Sequence, residues 1–169
     1  MSRVRGFYRI TLKPRGTSIA KIFSIRLEAG KDNMAYQKLN VTTLISAIQK
    51  RIKDGTGLKC LDHVPQNEPS PFYFAELVKT VPNNTKTMFR DVMTVWIHCI
   101  AEKSESSVGI YQMIDQLQEA MTEDIELPDP YELIMQVDGG VQTIKTDETG
   151  EKHAVIPYDF TVCYGFKCK

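Results

Sequence analysis

Apolar and polar positions change their spacing along this chain, and each change marks an element. Leu44, Ile45, Ile48 and Ile52 recur at helical spacing, with Gln49, Lys50, Arg51 and Lys53 on the other faces. That predicts an amphipathic helix over 42–53. Thr42 or Thr43 can cap its start, and Asp54-Gly55 supplies a stop. A short strand follows at 58–61. Pro65, Pro69 and Pro71 then exclude both helix and central strand between 62 and 71. From Phe72 the pattern alternates. Phe72, Phe74, Glu76 and Val78 point one way, while Tyr73, Ala75, Leu77 and Lys79 point the other, as a strand requires. Pro82-Asn83-Asn84-Thr85 is a turn. The strongest strand covers 88–100, with Met93, Val95, Ile97 and Cys99 on one face and Thr94, Trp96 and His98 opposite.

Ser106 or Ser107 opens a second helix, whose buried stripe is Ile110, Met113, Ile114, Leu117 and Met121. Strands at 131–137 and 141–146 flank Asp138-Gly139-Gly140, a hairpin or bulge signal. Asp147 to Glu151 make a further turn. The last strand, 154–166, places Ile156, Tyr158, Phe160, Val162, Tyr164 and Phe166 on one face, and Pro157 argues for an edge or a bulge near its start. The sum is an α+β domain: a mainly antiparallel sheet with two helices packed on one face. Residues 1–33 do not fit this rhythm. Phe7–Lys13 and Ile19–Leu27 alternate only weakly around Pro14-Arg15-Gly16, and Ala29 to Asn33 breaks the pattern. The domain is therefore expected at 34–169, preceded by a basic N-terminal extension or arm at 1–33.

Charge sharpens that division. Residues 1–53 hold 12 basic and 2 acidic side chains, and residues 54–169 hold 9 and 19, so the neutral chain divides into +10 and −10. Such asymmetry marks an interaction arm, or a basic end folded on its own acidic body. No apolar run approaches the roughly 18 residues of a membrane-spanning helix, and the N-terminus lacks the apolar core of a secretory signal. The chain is expected to use no membrane. Cys60, Cys99, Cys163 and Cys168 have no framework spacing and read as reduced, packed thiols.

Candidate chemistry is sparse. Cys60 and His63 lie three apart, but a structural zinc site wants paired ligands, and His98 and Cys99 point to opposite faces of one strand. No nucleophile elbow accompanies His63, His98 or His153, and His153, beside a turn, is expected to be solvated. Asp138-Gly139-Gly140 opens no helix and so lacks the geometry of a phosphate cradle. Asp115 and Glu119 are expected to form a solvated face. No catalytic residue, no cofactor and no metal ligand is expected. A small thiol or metal enzyme built on Cys60 and His63 is the alternative from a different class.

The order of elements from Leu44 onward resembles the tail completion, or tail terminator, proteins of long-tailed bacteriophages and prophages. The likeness rests on the opening helix and Asp62-His63-Val64-Pro65, on Pro71-Phe72-Tyr73-Phe74-Ala75-Glu76, and on the strand Val92 to Ile100 followed by the helix Val108 to Met121. It covers about 34–166 and leaves the first 33 residues outside. The resemblance implies a structural virion protein, assembled in the host cytoplasm, that forms a homo-oligomeric ring, typically a hexamer. Such a ring caps the tail tube and joins it to the head completion or connector protein, with DNA passing nearby in the lumen. A head-completion or neck adaptor of similar fold is the alternative. Ring formation needs a heterologous interface. The expected contacts are Arg3, Arg5 and Arg9 in the arm and Pro65 and Asn67 in the proline loop. Asn83, Asn84, Lys86 and Arg90 at one hairpin tip and Asp147, Glu148 and Glu151 at another complete the set, and both tips are expected to project into the ring.

Overall fold

The computed structural model describes residues 36–65 and 67–167. The elements run α1 (Val41–Thr56), β1 (Cys60–Leu61), β2 (Phe72–Pro82), β3 (Met88–Ala101), α2 (Val108–Ala120), β4 (Glu132–Asp138), β5 (Thr143–Thr146) and β6 (Lys152–Phe166). They form the expected α+β architecture. Six strands lie in the order β1-β2-β3-β6-β4, with β5 also on β6. All pairs are antiparallel except β1 with β2. The proposed arm at 1–33 lies outside the described residues.

The core is the layer between the helices and one sheet face. Leu44, Ile48 and Ile52 of α1 and Ile110, Met113 and Leu117 of α2 pack with Tyr73, Val95, Ile97, Ile156, Tyr158, Phe160 and Val162 of the sheet. The alternation read from 93–99 is thus the inward face of β3. The Tyr73 hydroxyl donates to the Met113 carbonyl at 2.9 Å and ties β2 to α2 within that layer.

Four local expectations need correction. Asn40, not Thr42 or Thr43, is the N-cap of α1; its carbonyl accepts from the amides of Thr43 and Leu44. The same helix passes through Asp54-Gly55 and ends at Gly57, whose left-handed backbone (φ 74°) lets its amide reach the Lys53 carbonyl. Gly55 serves helix contact instead: a Cβ there would sit 2.4 Å from the Cβ of Ala120 in α2. Arg51 reinforces this crossing, donating from Nε to the Ala120 carbonyl at 2.8 Å and meeting Glu123 at 2.5 Å.

Next, β4 and β5 do not pair with each other as a hairpin. Both lie along β6, β4 beside 158–163 and β5 beside 152–155. Pro157 falls in the gap between them. It sits in an interior strand, yet its missing donor points where the neighbouring strand is interrupted, and the Gly139 amide donates to its carbonyl at 2.8 Å. A Cβ on Gly139 would lie 2.7 Å from the Pro157 ring, so the gap needs glycine. Finally, Phe166 leaves the inward face. The β3–β6 register shifts beyond Phe89/Arg90, and Phe166 is exposed where Tyr164 is buried.

Candidate assembly surfaces

The long β3–β6 pair divides the expected contact residues between two ends of the sheet. The β2–β3 tip carries Asn83, Asn84, Lys86 and Arg90. Its shape is built locally: the Asn84 side chain accepts from the Arg90 amide at 2.9 Å, and Arg90 Nε donates to the Asn83 carbonyl at 2.6 Å. Lys167 closes the same end, donating from Nζ to the Thr85 carbonyl and from its amide to Thr87. This end is basic.

At the opposite end the β5–β6 tip carries Asp147, Glu148 and Glu151. A backbone pair between Asp147 and Glu151 closes it, and Thr149 reaches the Glu151 carboxylate. Because Ala101 pairs with Lys152 and Phe72 with Ile100, the acidic 102–106 loop and the proline loop share this end. There Pro65 and Asn67 are exposed, Asn67 has a left-handed backbone (φ 67°), and Lys59 is paired with Glu68. The structure therefore places Pro65 and Asn67 at the same end of the sheet as the acidic tip, and both at the end opposite Asn83–Arg90. Fourteen residues of β3 at about 3.3 Å each put the ends about 45 Å apart. Arg3, Arg5 and Arg9 lie outside the described residues.

Beside the basic tip, residues 36–40 are pinned to the sheet. Lys38 Nζ donates to Asp91 at 2.6 Å, and the Tyr164 hydroxyl donates to the same oxygen at 3.2 Å. Asp91 is 2% exposed, whereas the Lys38 side chain is 52% exposed, so the ammonium reaches in from solvent. The Tyr36 ring stacks on Phe89 at 4.2 Å, and Tyr131 packs edge-on against Tyr164. The Asp91 contact raises the Lys38 pKa above the ordinary ammonium value.

The sheet face away from the helices holds a cluster that sequence reasoning missed. His98 Nδ1 lies 2.7 Å from His153 Nε2, and His98 Nε2 faces the Glu76 carboxylate at 3.6 Å. Phe74 and Trp96 flank His98. His153 is half-buried, not solvated as expected. The available signal was non-local: His98 sits opposite Val155 and His153 opposite Ile100, so only the β3–β6 register reveals the diagonal pair. Burial, then His153, lowers the His98 pKa, and Glu76 opposes them. On the same face Thr94 donates to Asp159.

The remaining candidates for chemistry do not converge. Burial pushes the Cys60 and Cys99 thiols up to about 12, the opposite of what a nucleophile needs. His63 is exposed. Among the described residues no group of three or more His, Cys, Asp or Glu side chains could hold a metal ion, and no helix is long and apolar enough to cross a membrane.

Residues 35–169 match the phage tail terminator family described as "Putative tail termination protein". This chain belongs to the phage tail terminator family. Membership makes it a structural phage tail protein and a virion component. A solved chain from the virion of a native gene transfer agent particle is similar to this chain with a TM-score of 0.59 at 13% identity, over 75% of this chain and 99% of that one. The likeness shows a shared fold. No curated protein sequence matches the chain.

Proposed function

We propose that this terminator forms a homo-oligomeric ring, typically a hexamer in the family it belongs to, that caps the tail tube and joins it to the head connector without catalysis. One observation carries the reading. The subunit has two chemically different tips at opposite ends of one continuous sheet, a basic Asn83–Arg90 tip and an acidic one with Asp147, Glu148 and Glu151. A cap between two assemblies needs two such contact surfaces. Tips this far apart suit two partners better than a single lumen, so the tail tube protein meets one end and the head completion or connector protein the other. Residues 1–33, with Arg3, Arg5 and Arg9, are a separate basic arm in this reading, near DNA in the lumen.

Electron microscopy of the purified protein alone and mixed with tail tubes tests the proposal. Rings that seat on tube ends are the expected result. Binding to portal-bearing heads without any binding to tubes would replace it with a neck-adaptor role.

A further inference from the structure

The sheet has two outer edges, and among the described residues neither is paired along its length with a further strand. β1 covers β2 only at Tyr73 and Phe74, so Ala75 to Pro82 has β3 on one side and no strand on the other. The Tyr73 amide donates outward to the Lys59 carbonyl. Backbone alternation then turns the amides of Ala75 and Leu77 to the same outer side. Beyond the bulge at Leu77/Lys79, the Asn83 amide points inward to Arg90, so the Thr80 amide points out. On the far edge β4 has β6 on one side and no described strand on the other.

Proteins blunt such edges with charge, proline and bulges, and both edges carry some of these: Lys79, Pro82 and a bulge on β2, and two acids and a bulge on β4. Each nevertheless exposes large apolar side chains, Val78 and Val81 on β2 and Ile134, Met135 and Val137 on β4. The strand directions also match. β2, β3, β6 and β4 alternate, so β2 of one copy laid beside β4 of the next copy continues the antiparallel order. In the stretch of β2 beyond the bulge Lys79 is the one charged side chain, and β4 carries Glu132 and Asp138 at its two ends. Each copy offers one edge of each kind, which is the heterologous contact a closed ring requires.

We infer that the subunits join edge to edge, with β2 of one copy hydrogen-bonded antiparallel to β4 of its neighbour so that the sheets run on through the contact. The inference rests on the ring reading and names its interface.

Thr80→Pro tests it directly. The substitution removes an outward donor at an exposed edge position and leaves the inward ladder intact. Ile134→Lys places a charge on the opposite edge. Both variants are expected to keep wild-type cooperative unfolding when measured as monomers. Sedimentation velocity should show the assembly midpoint raised by roughly tenfold for Thr80→Pro, the loss of about one backbone hydrogen bond per contact. In the assembled wild type the amides of Ala75, Leu77 and Thr80 should exchange slowly, and on dilution to monomer they should exchange fast. If both variants assemble like an assembling wild type, edge pairing is wrong and the ring stands. Slow exchange of those amides in a monomer would mean that the chain covers its own edge, which also overturns the pairing. A wild type that stays monomeric with and without tail tubes overturns the ring and the interface together.

Discussion

The two faces of the sheet are built by different means. Toward the helices, Val95, Ile97, Ile156, Phe160 and Val162 are fully buried against Leu44, Ile48, Ile110 and Leu117. Away from the helices, the same strands present cross-strand pairs: Thr94 with Asp159, His98 with His153, and Trp96, 40% exposed, over Pro157. The first face is held by close packing, where every methylene counts. The second is held by pairs worth a fraction of a kcal/mol to about one each. Stability therefore resides on the helix side, and the outer side is open to change at low cost.

The largest expected contrast comes from truncating one residue on each face. Phe160→Ala should lower unfolding stability by about 4 kcal/mol through transfer loss and cavity formation, while Trp96→Thr should stay within about 0.5 kcal/mol. Urea midpoints measure both, and equal losses would erase the contrast. A smaller effect is expected at the helix crossing. Gly55→Val forces a side chain into the Ala120 contact and should cost about 2–3 kcal/mol. A neutral result would show that α1 can shift without loosening the core.

The smallest effect is a pH dependence on the outer face. His98 is held below its ordinary pKa by burial and then His153, against the pull of Glu76. The unfolded chain takes up that proton near pH 6.5, so it binds more protons than the folded chain just below this value. The stability tied to neutral His98 is thus present above about pH 6.5 and falls away as the pH drops toward the folded value. His98→Gln lacks this dependence. The melting-temperature gap between wild type and variant should be flat above about pH 7 and move against the wild type below about pH 6. A gap unchanged over that range would show that the His98 environment opens on acidification.

The order of elements and the inward faces of β3 and β6 were readable in the sequence, because period-two alternation over ten or more residues is set by burial on one side. The misreadings share a cause. Asp54-Gly55 carries a stop signal, but the glycine answers to Ala120, 65 positions away. Asp138-Gly139-Gly140 has hairpin chemistry, but its backbone partner is Pro157. His153 looked solvated because the residue beside it, His98, belongs to another strand. Of the expected contact residues, the turns that carry Asn83–Arg90 and Asp147–Glu151 were locally encoded. Their placement at opposite ends was not, since it depends on which strands β3 and β6 choose as neighbours.

The long β3–β6 pair also sets a rule for how such a subunit can change size. One face must stay inward, so a single inserted residue would turn all later side chains of that strand inside out. Growth that keeps the core must add two residues to each strand at once, a step of about 7 Å. The shifts at Leu77/Lys79, Phe89/Arg90 and Leu133/Met135 are places where an odd residue has been absorbed by a bulge. The spacing between the two ends thus changes in discrete units, and a relative with a taller or shorter subunit should differ from this one by an even number of residues in its two longest strands or carry a further bulge that takes up the odd one.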